Sequence, residues 1–409
     1  MIPPILEIFV VWHPQDVDGE AVAEQFVEHF HGSAFSGLIG GAVEIYVRSE
    51  GWRDPQDAPR PLPAAAALPD GILGAALTAI VPVLGNGLAA VVQPGVGAWQ
   101  EYAQGLIDLR EAAPEQVGIF PLQLSEGATA GTRLGEIFGV LQRIGAPSGN
   151  VAESTAGTRC RDLAQGIAQL ANGQQRLKVF VSHTKRSSEG EGERLDELIE
   201  RVRYVIANTR LGEYFDASDL QPGTDWASDI ENHARTSALL VVRSDLYASR
   251  EWCQREIATA KRAGMPVVIL DALTVGEQRG SFLMDHVARV PNRLGADDVS
   301  DGAIVGALNQ LVDECLKREL WLRQRSITDG GVSWDIAWWA PHAPEPLTLS
   351  GWLLERRASL PAGGWIRVLH PDPPLGPVEL DALEEIATLS GLKDRLDVMT
   401  PRGLAARGG

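Results

Sequence analysis

The chain has 409 residues, enough for two or three domains, and its 44% apolar and 22% charged content is the balance of a folded globular protein rather than a disordered one. A formal net charge of −18 argues against broad nucleic-acid binding, because phosphate backbones would be repelled, and it disfavours docking on an anionic membrane. The three cysteines, Cys160, Cys253 and Cys315, lie far apart without metal-ligand spacing, which argues against a disulfide framework or a zinc site and fits a reducing cytoplasm.

Taken in chain order, the opening MIPPILEIFVVWH has no basic stretch before its apolar residues and does not read as a signal peptide. Residues 6–12 (LEIFVVW) form a near-continuous apolar run, the pattern of a strand buried on both faces. Residues 19–30 carry Val22, Phe26, Val27 and Phe30 at helical spacing. Residues 42–47 (AVEIYV) read as a second strand, and the Pro- and Ala-rich stretch 53–69 as a long surface loop. The uncharged run 71–98 is long enough to cross a membrane, but Pro82 and Gly85-Asn86-Gly87 interrupt it. It is read instead as a short buried helix, a turn and a buried strand at 88–92 (LAAVV). A strand at 118–122 and a helix at 159–170 complete an N-terminal α/β domain over residues 1–173.

Residues 177–325 repeat the alternation more clearly. Strands are expected at 178–182 (KVFVS), from Tyr214-Phe215, at 238–242 (ALLVV) and at 266–270 (PVVIL). Helices are expected at 192–207, 226–234, 249–263 and 303–322, the first with Leu195, Leu198, Ile199, Val202, Val205 and Ile206 on one side. The expected fold is a five-stranded, doubly wound parallel α/β sheet of the flavodoxin-like type. The openings EIFVVWH and KVFVSH are alike and suggest two related units. Residues 326–409 hold Trp334, Trp338 and Trp339, then helix 349–359, strand 365–370, helix 378–389 and a final strand LDVMT. They read as a small C-terminal α/β domain. No Gly-rich Walker loop occurs, so the chain is not a P-loop NTPase.

The chemistry concentrates in the middle segment. In YASREWCQREI, residues 247–257, Trp252 and Glu256 stand four apart, a spacing that brings two side chains to one face of a helix. Cys253 and Ile257 then share the adjacent face and are expected to enter the core, with Ser249 as helix cap. Ser182 and His183 end the first strand of the segment, where open α/β sheets place ligands. Asp216 and Asp219 either contact a ribose or cap a turn, and Trp226 either lines a pocket or packs. In the first segment Trp99 and Glu101 stand only two apart and point to different faces, so no second site is assigned there.

The order KVFVSH, YFDASDLQPGTDWASDI, ALLVVRSDLYASREWCQREI and MPVVIL resembles the Toll/interleukin-1 receptor (TIR) domain in its bacterial and plant-like forms. The resemblance covers about residues 177–325. It matches a family loop, the BB loop, to Asp219, Gln221, Pro222 and Gly223, and the motif Tyr-x-x-Ser-x-Trp-Cys-x-x-Glu to Tyr247, Trp252, Cys253 and Glu256. The usual Ser before the Trp is replaced, since Arg250 and Glu251 follow Ser249. The N-terminal domain is then a degenerate TIR-like unit.

Many members cleave NAD+ between nicotinamide and ribose, so the resemblance implies an NAD+ glycohydrolase with Glu256 as the catalytic residue. Trp252, Ser182, His183, Trp226 and Asp216 are the substrate-contact candidates. NAD+ is the substrate; no cofactor and no metal are implied. Activity on self-association with other TIR domains, an activating ligand or protein, a cytoplasmic location and a role as a bacterial antiphage effector follow from the same resemblance. The alternatives are a non-enzymatic TIR interaction scaffold and an enzyme that makes a cyclic ADP-ribose signal.

Overall fold

The computed structural model describes residues 5–32, 35, 43–55, 57–63, 74–145, 153–185, 188, 191–211, 213–216, 226–277, 279–292, 301–331, 336–360, 363–371 and 373–407. They fall into two compact units, Met1–Ser148 with Ser154–Gln175, and Gly149–Glu153 with Arg176–Gly409.

In the first unit the elements are β1 (Leu6–Val11), α1 (Asp18–Phe30), β2 (Glu44–Arg48), β3 (Leu77–Leu84), α2 (Asn86–Val92), α3 (Ala98–Ala112), β4 (Val117–Ile119), β5 (Leu122–Gln123), α4 (Arg133–Phe138) and α5 (Thr155–Ala171). The strands are parallel in the order β2-β1-β3-β4, with β5 beside the end of β3. Only Glu7 of β1 escapes burial, as its apolar run implies. On α1, Val22, Phe26 and Phe30 are buried but Val27 stands exposed, so the inner stripe is narrower than the spacing suggests.

The uncharged run reverses the order expected of it. Within it residues 77–84 are strand β3, and residues 86–92, including 88–92, are helix α2. An apolar run without charges carries no period that separates strand from helix. What starts the helix is distant in sequence: the buried carboxylate of Asp16 accepts from Gly87 N at 2.7 Å and Leu88 N at 2.9 Å. Those N–H groups are two of the donors that a helix start leaves without partners. Pro82 sits inside β3 without breaking the sheet. Thr78 N donates to Gln116 O, while Ile80 O and Leu84 O accept from Phe120 N and Leu124 N, so the even-numbered residues bond toward β4 and β5. Pro82 meets that side where β4 has ended and β5 has not begun, so its missing donor costs no ladder bond.

In the second unit the elements run β6 (Lys178–Ser182), α6 (Gly192–Ala207), β7 (Glu213–Asp216), α7 (Trp226–Thr236), β8 (Ala238–Arg243), α8 (Glu251–Arg262), β9 (Val267–Asp271), β10 (Ala288–Pro291) and α9 (Asp301–Gly331). The sheet is parallel in the order β10-β9-β8-β6-β7, the flavodoxin-like doubly wound arrangement. All six apolar residues expected on the inner side of α6 are buried. Helices α6 and α9 pack together, and α7 packs with α8. The first unit repeats this strand order as far as its fourth position.

The chain continues through β11 (Ile336–Trp339), α10 (Pro346–Arg356), β12 (Ile366–Leu369), α11 (Pro377–Leu389), β13 (Leu396–Met399) and α12 (Pro401–Ala406), with β11, β12 and β13 in a parallel three-stranded sheet. Helix α10 starts on a capping box between Glu345 and Thr348, with Pro346 at its first position. Trp334 lies outside the described residues. No described helix is long and apolar enough to cross a membrane.

Replacing Asp16 by Ala strands two buried N–H groups. Asp16→Ala should destabilise the protein by about 1–3 kcal/mol in urea unfolding followed by circular dichroism. A loss below about 0.5 kcal/mol, the level of an ordinary surface change, would show that the carboxylate does not hold α2.

Candidate functional site

The strand order of the second unit reverses between β6 and β8, and the carboxyl ends of these neighbours form the crevice where open α/β sheets bind ligands. Three side chains from three elements converge there. Ser182 is the last residue of β6. Tyr247 lies in the 3-10 turn Tyr247–Ser249 that follows β8. Glu256 stands in the middle of α8. Strand alternation puts Ser182 on the same side as Phe180, which packs in one core cluster with Tyr247, Cys253 and Ile257.

The Ser182 hydroxyl donates to Glu256 Oε2 and also bonds the Tyr247 hydroxyl. Serine has one proton to give, so Tyr247 is the donor to Ser182 when Glu256 is ionised. The result is a chain of hydroxyls running from Tyr247 through Ser182 to a carboxylate that is only 5% exposed. Each bond of the chain is polarised toward the carboxylate it ends on. Burial pushes the Tyr247 phenol well up, with Cys253 and Glu256 adding to the effect, so Tyr247 keeps its proton. Burial first, then Glu256, pushes the Cys253 thiol up as well.

The expected division of α8 into two faces is corrected here. Glu256 lies on the buried side with Cys253, Ile257 and Ala260, not beside an open tryptophan. Residues three apart on a helix are neighbours just as residues four apart are, and the buried Cys253-Glu256 pair uses the shorter spacing. Trp252 is half-buried, and the Arg255 guanidinium lies over its ring at 4.8 Å. Ser249 does not cap α8. Its hydroxyl turns back to Leu246 O, and Arg250 occupies the cap position without a side-chain bond.

Around the crevice, His183 is half-buried with Nδ1 at 3.1 Å from Thr184 O, and its carbonyl lies 3.9 Å from Cys253 Sγ. Thr184 Oγ1 meets Ser244 Oγ at 2.9 Å. Asp216 ends β7 opposite Val181 and Trp226 begins α7, which sets their backbone positions. The segment joining them holds Asp219, Gln221, Pro222 and Gly223, which lie outside the described residues.

Sequence reasoning passed over a second set of residues. Asp245 accepts from the backbone N–H groups of Thr274, Val275 and Gly276, and Glu191 accepts from Ser188 N and Asp245 N. Arg243 donates to Asp271 and Glu277 in a largely buried cluster, and the hydrogen bond it gives to Glu277 is the main cause of its raised pKa. These groups fix the loops leaving β6, β8 and β9 at the same edge. Their signal in sequence is faint, since each is a single charge in a loop. Among the described residues no cluster of His, Cys, Asp and Glu could hold a metal ion.

In the first unit His13 occupies the analogous strand end. It is buried, edge-on to Trp99 at 5.0 Å, and burial lowers its pKa while Asp16 opposes the shift. Trp99 is buried and Glu101 exposed, so the two side chains part company as their spacing requires.

The raised pKa values have a direct consequence. Folded Tyr247 and Cys253 hold protons that the unfolded chain releases above its ordinary values of 10.0 and 9.0. Their stabilising contribution is complete below those values and is lost as pH rises through them. Cys315 and Tyr102 act in the same direction. Stability measured by urea unfolding should therefore fall from about pH 9 upward, and Tyr247→Phe should make that fall shallower. An unchanged slope would remove Tyr247 from the alkaline transition.

No curated protein matches the chain. Residues 179–279 match the TIR domain family, a span that contains Ser182, Tyr247, Trp252 and Glu256. With its flavodoxin-like sheet, the second unit of the chain carries a TIR domain over the matched residues.

Proposed function

We propose that the TIR domain hydrolyses NAD+ at the bond between nicotinamide and ribose, with Glu256 as the catalytic carboxylate. The observation that carries this reading is the Tyr247–Ser182–Glu256 chain, which holds the Glu256 carboxyl group beside the crevice between β6 and β8. NAD+ needs such a group and little else. The nicotinamide ring already bears positive charge, so when the C1′–N bond breaks its electron pair neutralises the ring, and the leaving group takes no proton. Positive charge develops on the ribose instead, as in other glycosyl transfers. A carboxylate fixed nearby stabilises that charge, and water then bonds to C1′ and gives up a proton. Ser182 and Tyr247 are positioning residues in this scheme. His183, Asp216, Trp226 and Trp252 are the candidates for holding the substrate.

Glu256 is buried in this arrangement, so substrate must reach it through a rearrangement of the crevice. Self-association of TIR domains is the proposed trigger, a population shift from a closed to an open site. Asp219, Gln221, Pro222 and Gly223 are the proposed participants from the BB loop. The first unit, with the same strand order, is proposed to be a degenerate TIR-like unit that senses or assembles rather than catalyses. A cytoplasmic effector that depletes NAD+, or converts it to a cyclic ADP-ribose signal, during phage infection is the setting this activity fits. The burial of Glu256 also favours a second reading, in which the carboxylate is structural and the domain is a non-enzymatic interaction module.

The two readings separate in one assay. Concentrated full-length protein is incubated with NAD+, and nicotinamide and ADP-ribose products are resolved by chromatography. Glu256→Gln should reduce nicotinamide release by about 10²–10³-fold. Release that survives the substitution would sink the assignment of Glu256, and absence of release in assembled wild-type protein would favour the scaffold.

A further inference from the structure

A cavity of about 740 Å³ lies within the second unit, away from Glu256. Its wall includes Met265 and Val267 before and at the start of β9, and Val287 and Ala288 at the start of β10. It therefore opens at the amino ends of the strands, whereas Ser182 and Glu256 meet near the carboxyl ends. The opposite wall comes from β11, α10 and the segments beside them, so the cavity exists only where the C-terminal sheet meets the end of α8 and the middle of α9.

The junction is built, not incidental. Lys261 Nζ, largely buried, donates to Leu283 O and Asp285 O and pairs with Glu345, the cap of α10, at 3.2 Å. Arg318 Nε donates to Gly264 O at 2.9 Å. Gly264 has φ +64, and a Cβ there would meet Pro341 at 2.6 Å, so the turn after α8 fits its neighbour only as glycine.

The chemistry of the wall is uneven. Trp338 and Trp352 stand half-buried as a parallel pair, 5.1 Å apart and inclined by 10°. The indole N–H groups of buried Trp321 and Trp339 find no acceptor among the described residues. Three of the four carboxylates on the wall are engaged, Glu345 with Lys261, Glu379 with His286 and Glu314 with Gln310, and the fourth, Glu355, is exposed. By contrast Lys317, which is half-buried, and Arg262 and Arg356 have no ion-pair partner among the described residues. In a chain of net charge −18, unpaired cations and unmet donors have gathered around an aromatic wall. The volume is in the range of sites for drug-sized molecules. Tryptophan faces take flat rings, and unpaired cations take anionic groups.

We propose that this cavity binds a small anionic ligand with a planar aromatic ring, a nucleotide-class molecule, with Trp338 and Trp352 receiving the ring and Lys317 and Arg262 the charge. The proposal does not depend on NAD+ cleavage at Glu256. It makes α8 the shared element of two sites, because the helix carries Glu256 near its centre and Lys261 and Arg262 at its end.

The probe is ADP, which has the ring and the charge but no nicotinamide to release. Isothermal titration calorimetry of the full-length protein should show saturable binding at one site. Trp352→Ala and Lys317→Glu should each weaken it at least about tenfold, and ribose 5-phosphate, which lacks the ring, should bind at least about tenfold more weakly than ADP. Circular dichroism checks that each variant is folded, and if Trp352→Ala is not, Lys317→Glu decides. No saturable binding of ADP, or binding unchanged in the folded variants, overturns the proposal. Equal binding of ribose 5-phosphate overturns the role of the aromatic wall.

Discussion

A carboxylate withdrawn from water must be answered by hydrogen bonds, and the answer given to Glu256 organises the TIR domain around it. Ser182 comes from the first strand of the sheet, Tyr247 from the turn after the third, and Glu256 from the next helix. Holding the three together fixes α8 over β6 and β8. It also makes the crevice a place where sequence-distant residues must agree. Cys253 and Ile257 hold the same helix by apolar packing, so its position is set twice, once by oil-like contacts and once by a polar chain. The polar chain gives the face a chemistry that the apolar contacts alone would not.

Much of this was legible from residue order. Buried strands of parallel sheets announce themselves as apolar runs, and KVFVS, ALLVV and PVVIL each fell where expected. The inner stripe of α6 could be read residue by residue. Three features could not. Strand β10, ARVP, is half-exposed at the sheet edge and has too few apolar residues to stand out. Helix α2 depends on Asp16, far upstream, so no local window contains its cause. The depth of Glu256 depends on which of two neighbouring helix faces meets the sheet, and one sequence spacing suits both. The motif named Tyr247 and Glu256, which the fold brings together with Ser182, while their depth and partners required the fold.

The two units share a strand order and differ at the edge where ligands would sit. In the second, hydroxyls face a carboxylate supplied by a helix across the sheet. In the first, the carboxylate of Asp16 faces backbone N–H groups at the start of α2 and satisfies them internally. Donors that elsewhere greet a phosphate are here already occupied. One architecture thus supports a polar site with chemical potential in one unit and a self-sealed corner in the other. This is the general lesson that function belongs to sites rather than to folds.

Helix α9 runs for 31 residues, about 46 Å at the rise of an α-helix. Its first part packs on β8, β9 and β10, and farther along the buried Trp321 meets Trp339 of the C-terminal sheet. The family match ends at residue 279, before β10 and before this helix begins. The recognisable domain and the smallest self-sufficient piece of chain are therefore different things. A fragment trimmed to the family boundary would expose one flank of its sheet, and a fragment ended after α9 would carry a bare tryptophan into solvent. The C-terminal sheet is the cover of that long rod, and it is inherited with it.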